Sequence, residues 1–338
     1  MNKIVIITSF LWLAAAVSGQ NNNSKEMEKM ELTQQWDKTF PKNDKVDHSK
    51  VTFTNRYGIT LAADLYIPKN ADGKQAAIIV CGPYGAVKEQ CSGLYAQEMA
   101  TRGLLAMAFD PSYCGESGGE PRYVSSPDIN TEDYSAAVDY LILRGDVDED
   151  RIGIIGICGW GKLAVSAAAM DTRIKATVSS TMGSFDSYTT EQRYEARKQL
   201  NAQRTLDARS GQPAMAGGVP AQLPADAPQF MKDFQDYYKT KRGYHARSLN
   251  SNDGWQVTTN LSFLTFPLIA YAEEIESAVL LIHGEKGYSV NASRETFERL
   301  RGDNKELMII PGASHTDLYD QTDVIPFDKM EDFFKKNL

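Results

Sequence analysis

Beyond residue 50 the apolar positions follow two rhythms in turn. VTFTNRYG (51–58) and TLAADLYIP (60–68) alternate apolar and polar residues about Tyr57-Gly58, the period of a β-hairpin with one buried face. After Gly73 the apolar runs become continuous. AAIIV (76–80), LLAMAFD (104–110), RIGIIGIC (151–158) and IKATVSST (174–181) read as buried strands, as do SAVLLIHG (277–284) and KELMIIPG (305–312). Segments of helical length lie between and after them: 92–103 closed by Gly103, about 131–144 closed by Gly145, 162–170, 293–302 and 327–338. Strands that alternate with helices in this way predict a mostly parallel central sheet with helices on both faces.

Between about 184 and 272 the alternation stops. Residues 191–209 are helical and highly charged, 210–228 are rich in Pro, Ala and Gly, and FMKDFQDYYKT (230–240) is a second amphipathic helix. This stretch is expected to be a helical cap inserted into the α/β domain, which itself spans 49–338. Its aromatic residues are expected either to line a pocket or to form the cap's own core. Residues 20–48 form a polar lead-in, a linker or loosely docked helix. At the front, Ile4–Val17 is apolar behind Lys3, and Ser18 and Gly19 follow it. The run is short for a membrane span, so residues 1–19 read as a secretory signal peptide, with an uncleaved anchor as the alternative. The expected location is periplasmic or secreted, with no stable membrane insertion once the signal is removed. No Cys follows the apolar run to carry a lipid.

Composition narrows the function. The chain has 338 residues, 42% of them hydrophobic and 24% charged, enough to build a large core without a disulfide scaffold. Its 36 basic and 44 acidic residues give a net charge of −8, which repels a polyphosphate backbone and excludes nucleic acid as a partner. The spacing of Cys81, Cys91, Cys114 and Cys158 is not that of a zinc site, and the glycines around 115–118 lack the Lys-Ser/Thr of a phosphate loop. Neither a metal nor another cofactor is expected. After export, a Cys81–Cys91 or Cys91–Cys114 disulfide is open, and spacing does not decide it.

Gly156-Ile157-Cys158-Gly159-Trp160-Gly161 stands where a buried strand turns into a helix of small residues. A nucleophile elbow needs small neighbours for a strained turn, a side chain at the sheet's C-terminal edge and backbone N–H groups facing an anion. Cys158 occupies the nucleophile's place, and the helix N-terminus is expected to depress its thiol pKa. Of the four histidines, His48 lies in the polar lead-in, His245 in the cap, and His283 in a strand that runs into a Gly turn. His315, in PGASH after the last strand, lies where a base on such a sheet belongs. The oxyanion hole is expected from the N–H of Gly159 and one from Cys81-Gly82-Pro83-Tyr84-Gly85; Pro83 has no N–H, which leaves Tyr84.

With these residues in place, Val51–Leu338 resembles the α/β-hydrolase superfamily. The elbow is similar to that of the dienelactone hydrolase-like families, whose GxCxGG motif matches at Gly156, Cys158 and Gly161 and departs at Trp160. The CGPYGAVKEQ loop resembles that of a group of secreted bacterial α/β-hydrolases. The resemblance implies the α/β-hydrolase fold, a Cys-His-Asp triad, an oxyanion hole and hydrolysis of esters or lactones. An Asp usually completes such a triad in a turn of the form HGxxD, but here Gly287 takes that place. Glu285 is the preferred acid, Asp186 the alternative, and a thiol that needs no acid the third case. The expected function is a hydrolase of small ester, lactone or thioester substrates. Against it stands a non-catalytic binding protein on the same scaffold, suggested by the missing acid and by Trp160 beside the nucleophile. A redox thiol is a third reading.

Overall fold

The computed structural model describes residues 32–183 and 188–338. The signal expected at 1–19 and the alternative acid Asp186 lie outside the described residues. The chain divides into two units, Met1–Thr33 and Gln34–Leu338, and every element below belongs to the second.

β1 (Val46–Thr54) and β2 (Thr60–Pro68) form the expected hairpin. Then come β3 (Gln75–Cys81), α1 (Cys91–Thr101), β4 (Leu105–Phe109), α2 (Pro127–Ile142), β5 (Val147–Ile157), α3 (Gly159–Met170) and β6 (Ile174–Ser180). The cap carries α4 (Thr190–Ser210), α5 (Gln229–Lys239) and the single turn α6 (Asn260–Phe263). β7 (Ala278–Gly284), α7 (Val290–Arg299), β8 (Lys305–Ile310), α8 (Asp317–Asp320) and α9 (Phe327–Asn337) complete the domain.

The eight strands form one sheet in the order β1-β2-β4-β3-β5-β6-β7-β8. The β1–β2 and β2–β4 pairs are antiparallel, and every other pair is parallel. A parallel strand covered on both faces must be apolar on both, which is why the sequence shows continuous runs here. In β3 the alternation appears in space: Ala77, Ile79 and Cys81 join Tyr134 and Leu163 of α2 and α3, while Ile78 and Val80 join Tyr95 of α1 and Phe334 of α9. Gly153 of β5 has a packing reason, since a Cβ there would lie 2.7 Å from a ring carbon of Phe334.

β3 lies between β4 and β5, so the chain leaves it for one neighbour through α1 and later reaches the other through α2. Cys81 pairs with Gly156, so the segments that follow β3 and β5 leave the sheet side by side at its C-terminal edge. Open α/β sheets bind ligands at such a switch point.

The lead-in departs from expectation. β1 starts at Val46 rather than after 48, and the residues before it are docked. Trp36 donates from Nε1 to the Phe40 carbonyl at 2.9 Å, Phe40 is buried, and Thr39 N–H reaches the Glu89 carbonyl at 2.9 Å. Polar composition hid this because much of the docking is polar, Lys38 Nζ lying 2.6 Å from Asp64 and Asp37 2.8 Å from Arg247.

Phe334 is fully buried between α9 and the sheet. Phe334→Ala is expected to lower the unfolding free energy by about 3–5 kcal/mol in urea titrations followed by circular dichroism; a loss under about 1 kcal/mol would mean that α9 does not cover this face.

Candidate active site

Cys158 stands between β5 and α3 with φ 55° and ψ −118°, a left-handed backbone that an L-residue adopts at a cost of about 1–3 kcal/mol. Three hydrogen bonds hold it there. Its N–H donates to Ser180 O at 2.9 Å, and its carbonyl accepts from Gly161 N–H at 2.9 Å and Gly183 N–H at 2.7 Å. The glycines are sterically required. A Cβ on Gly156 would lie 2.2 Å from the Trp160 carbonyl oxygen, and one on Gly161 would lie 2.5 Å from Ser179 Oγ. Trp160, where the motif departs, turns inward against Phe109 and Tyr134 with ring centroids 6.3 and 6.2 Å away. It therefore leaves Cys158 uncrowded, contrary to the expectation that favoured a binding protein, because Gly161 supplies the close approach of helix and sheet.

The thiol environment also differs from expectation. Burial pushes the Cys158 pKa up. The groups that favour the thiolate, the Tyr319 hydroxyl and the backbone N–H groups of Gly159 and Tyr84, offset only part of that rise. The expected depressed pKa is thus reversed, since desolvation of the charge outweighs one helix terminus. The same interactions bring Gly159 and Tyr84, the two expected oxyanion donors, to one sulfur. Cys81, Cys91 and Cys114 are free and buried, with neither open disulfide formed, and burial raises each of their pKa values.

Tyr84 is held from several sides. Its ring stacks on Trp255 at 4.0 Å between centroids, and its carbonyl accepts from Asn250 Nδ2 at 2.6 Å. The Gly85 carbonyl accepts from Ser248 Oγ at 2.9 Å. Gly85 has φ 83°, and a Cβ there would lie 2.6 Å from Asn250 Oδ1. Farther along the loop Lys88 is fully buried, its Nζ 2.7 Å from Glu89, 2.8 Å from Asp110 and 2.6 Å from Glu116. Lys50 reaches Glu116 at 2.5 Å, and Arg247 of the cap reaches Glu89 and Asp37 at 2.8 Å each. The three carboxylates lie close enough together to suggest a metal centre, but the Lys88 ammonium fills their middle. Burial alone would lower the Lys88 pKa, and Asp110 and Glu89 overcome it, so the net shift is upward. Burial alone would raise Glu89, and Lys88 followed by Arg247 brings it below the ordinary carboxylate range.

His315 is buried, with rings of Tyr288 at 4.8 Å, Phe234 of α5 at 5.5 Å and Tyr319 at 5.6 Å between centroids. Tyr319 thus adjoins both His315 and the Cys158 thiol. Burial, and then the neighbouring His283, hold the His315 pKa well below the usual imidazole value. Its Nδ1 lies 3.3 Å from Ser289 Oγ. Nε2 has no hydrogen-bond partner among the described residues. Glu285 is not brought to His315. It is exposed, and its carboxylate accepts from Gly312 N–H at 2.8 Å across the neighbouring turn. His48 pairs with Asp64 at 2.8 Å and His245 lies 3.7 Å from Asp37, both away from the thiol. Of the cap aromatics, Tyr238 is buried near the thiol, Tyr244 is exposed and Phe263 packs in the domain core. Sequence reasoning missed Tyr319, Ser289 and Lys88. HGEKGYS does place a serine two residues beyond the vacant acid position, which was the one available signal.

Comparison with known proteins gives the class first. The sheet and helices are those of the α/β hydrolases, and the α/β hydrolase GrgF of a Penicillium species shares the fold with a TM-score of 0.72 at 21% identity, over 86% of this chain and 99% of that one. The chain belongs to the X-Pro dipeptidyl-peptidase (S15) family, whose model matches residues 57–317. It is therefore a hydrolase-family protein, and the matching family is S15 rather than the dienelactone hydrolase-like one that its elbow resembles. It is similar to the uncharacterized protein PA2218 of Pseudomonas aeruginosa, with 53% identity over 335 residues, 96% of this chain and 90% of the relative. The crystal structure of PA2218 superposes with a TM-score of 0.88 over 92% of this chain and 99% of that one. The thiohydrolase aneE of Aspergillus aculeatus is 31% identical over 137 residues, 40% of this chain and 42% of its own.

Removing Lys88 leaves buried carboxylates without their counter-charge. Lys88→Met is expected to lower the unfolding free energy at neutral pH by about 3–5 kcal/mol. Glu89 has a folded pKa below its unfolded one, so its contribution to the wild type is fully present above the unfolded value of ~4.3 and lost as pH falls through the folded value. The difference between variant and wild type should therefore shrink in acid. Urea titrations at both pH values check this, and a pH-independent difference would refute it.

Proposed function

We propose that this chain hydrolyses small acyl thioesters and esters with Cys158 as nucleophile and His315 as base. The convergence of the Gly159 and Tyr84 N–H groups on the strained Cys158 carries the reading, because two donors there suit the oxygen of a tetrahedral intermediate. As Sγ bonds to the acyl carbon, the thiol proton passes to His315 Nε2 and the carbonyl π pair moves onto the oxygen. Collapse of that intermediate breaks the bond to the leaving group, which takes the proton from His315, and leaves an acyl-thioenzyme. Water then adds to it, giving its proton to Nε2, and Sγ departs, taking that proton back, to yield the carboxylic acid. Because the thiol pKa is raised and the imidazole is neutral, the resting pair is thiol and neutral His315 rather than an ion pair.

The similarity to a thiohydrolase supports the thioester half of this reading. The S15 family match makes an Xaa-Pro peptide the competing substrate, and the panel below includes one. Export directed by residues 1–19 is part of the same proposal, and N-terminal sequencing of the mature protein should begin near residue 20; an N-terminus at Met1 would reject it.

Turnover of S-phenyl thioacetate and p-nitrophenyl acetate is expected, with little on an Xaa-Pro p-nitroanilide. Cys158→Ala should remove about 10³-fold or more of the ester rate. Iodoacetamide should label Cys158 before the other thiols, at a rate that keeps rising above pH ~8.5 because burial raises its pKa. A wild type with no turnover on these substrates and no selective labelling would return the chain to the ligand-binding reading, which the missing acid favours.

A further inference from the structure

His315 ends a line of side chains that contains no carboxylate. Its Nδ1 lies 3.3 Å from Ser289 Oγ, which lies 3.5 Å from His283 Nε2, and His283 Nδ1 lies 2.7 Å from Ser293 Oγ. All four residues are buried, with His283 and Ser293 fully so. Buried in this way, the polar atoms of the line are satisfied largely by one another, with the Tyr288 side chain also reaching Ser289.

The vacant acid position explains why the line exists. At Gly287, where HGxxD would place an Asp, a Cβ would lie 2.8 Å from both Cδ2 and Nε2 of His283. The His283 ring therefore occupies the volume that a carboxylate on residue 287 would need. Glu285, the nearest acid in sequence, is turned outward onto Gly312 N–H.

We propose that Ser289 and His283 are positioning residues that replace the acid, holding His315 by a relay of hydrogen bonds from Nδ1–H through Ser289 to His283 and Ser293. This rests on the reading of His315 as the base. A base at Nε2 needs its proton on Nδ1, which donates to Ser289 Oγ. The Ser289 hydroxyl then donates to His283 Nε2, and His283 Nδ1–H donates to Ser293 Oγ, so one tautomer of each ring satisfies the donors from His315 Nδ1 to His283 Nδ1. Burial and then Arg294 bring the His283 pKa down to about 4, so the ring is neutral and remains an acceptor across the working pH range. The first two contacts are long and have room to shorten when His315 becomes charged.

The relay fixes orientation but places no negative charge beside the imidazolium. It therefore makes His315 a weaker base than a carboxylate would, which a thiol tolerates better than a hydroxyl. The substrate class follows: acyl groups already activated by a good leaving group, thioesters above all, rather than amides.

Three variants test this on the full chain, with S-phenyl thioacetate as probe. Ser289→Ala is expected to lower kcat by about 10- to 100-fold with little change in KM, less than the ~10⁴-fold that follows loss of a charged acid. Ser289→Thr, which keeps the hydroxyl, should restore most of it. The double variant His283→Ala/Gly287→Asp opens the volume and fills it with a carboxylate, and should move the acid limb of the kcat/KM profile to higher pH. Unchanged kcat and pH profile in Ser289→Ala, with Cys158→Ala inactive, would overturn the relay and leave the nucleophile standing. Retained turnover in Cys158→Ala would overturn the nucleophile instead. Independently of turnover, nitrogen-15 spectra of the resting wild type should show the His315 proton on Nδ1, and a proton on Nε2 would overturn the relay.

Discussion

The close approach of α3 to β5 and β6 is the constraint on which the site depends. Without side chains at Gly156 and Gly161, the helix can start within contact distance of the sheet, and the chain between them is forced through a left-handed residue. That residue is Cys158. Its strain is borne by three backbone hydrogen bonds from β6, α3 and the segment after β6, so Cys158 and the sheet edge are held as one piece. The same approach orients the Gly159 N–H, at the first turn of α3, toward the sulfur. Trp160 can be large because its side chain leaves on the opposite side, into the core against Tyr134 of α2.

Tyr84 lies on a loop, and a loop needs an external reason to stay in place. Here the reason is charge. Lys88 lies four residues beyond Tyr84, in a buried cluster that joins β1, the loop, the residue after β4 and the cap through Lys50, Glu89, Asp110 and Arg247. Buried ion pairs contribute little net stability relative to apolar packing, but an unmatched member is strongly destabilising. Such a cluster therefore selects one arrangement of its segments. Asp37 and Lys38, just before β1, belong to the same system, so a polar segment outside the sheet helps to fix the loop that carries Tyr84.

Much of the fold was legible in the sequence because period and chemistry agreed. Continuous apolar runs marked β3 to β8, and Gly103 and Gly145 marked helix ends. The strained turn at Cys158 was legible because its requirement is local: two small residues and a helix start. Tyr84 was chosen by elimination, since Pro83 has no N–H, and its N–H is among the groups that act on the Cys158 thiol. Glu285 was chosen by distance along the chain, and in space the turn sends it to Gly312 while His283 fills the place of the acid. The depressed thiol pKa failed for a related reason. A helix terminus is visible in sequence, but the depth of burial that outweighs it is not.

By itself the sequence determined what depends on neighbours within a few residues: the strand and helix order, the strained turn at Cys158 and the absence of a carboxylate at 287. Only the tertiary structure decided what surrounds those features. It buried Cys158 and His315 under α5, brought Tyr319 to both, set Lys88 among three carboxylates, and aligned His315, Ser289, His283 and Ser293. Burial and through-space electrostatics sum over segments far apart in the chain, and for that reason no local pattern records them.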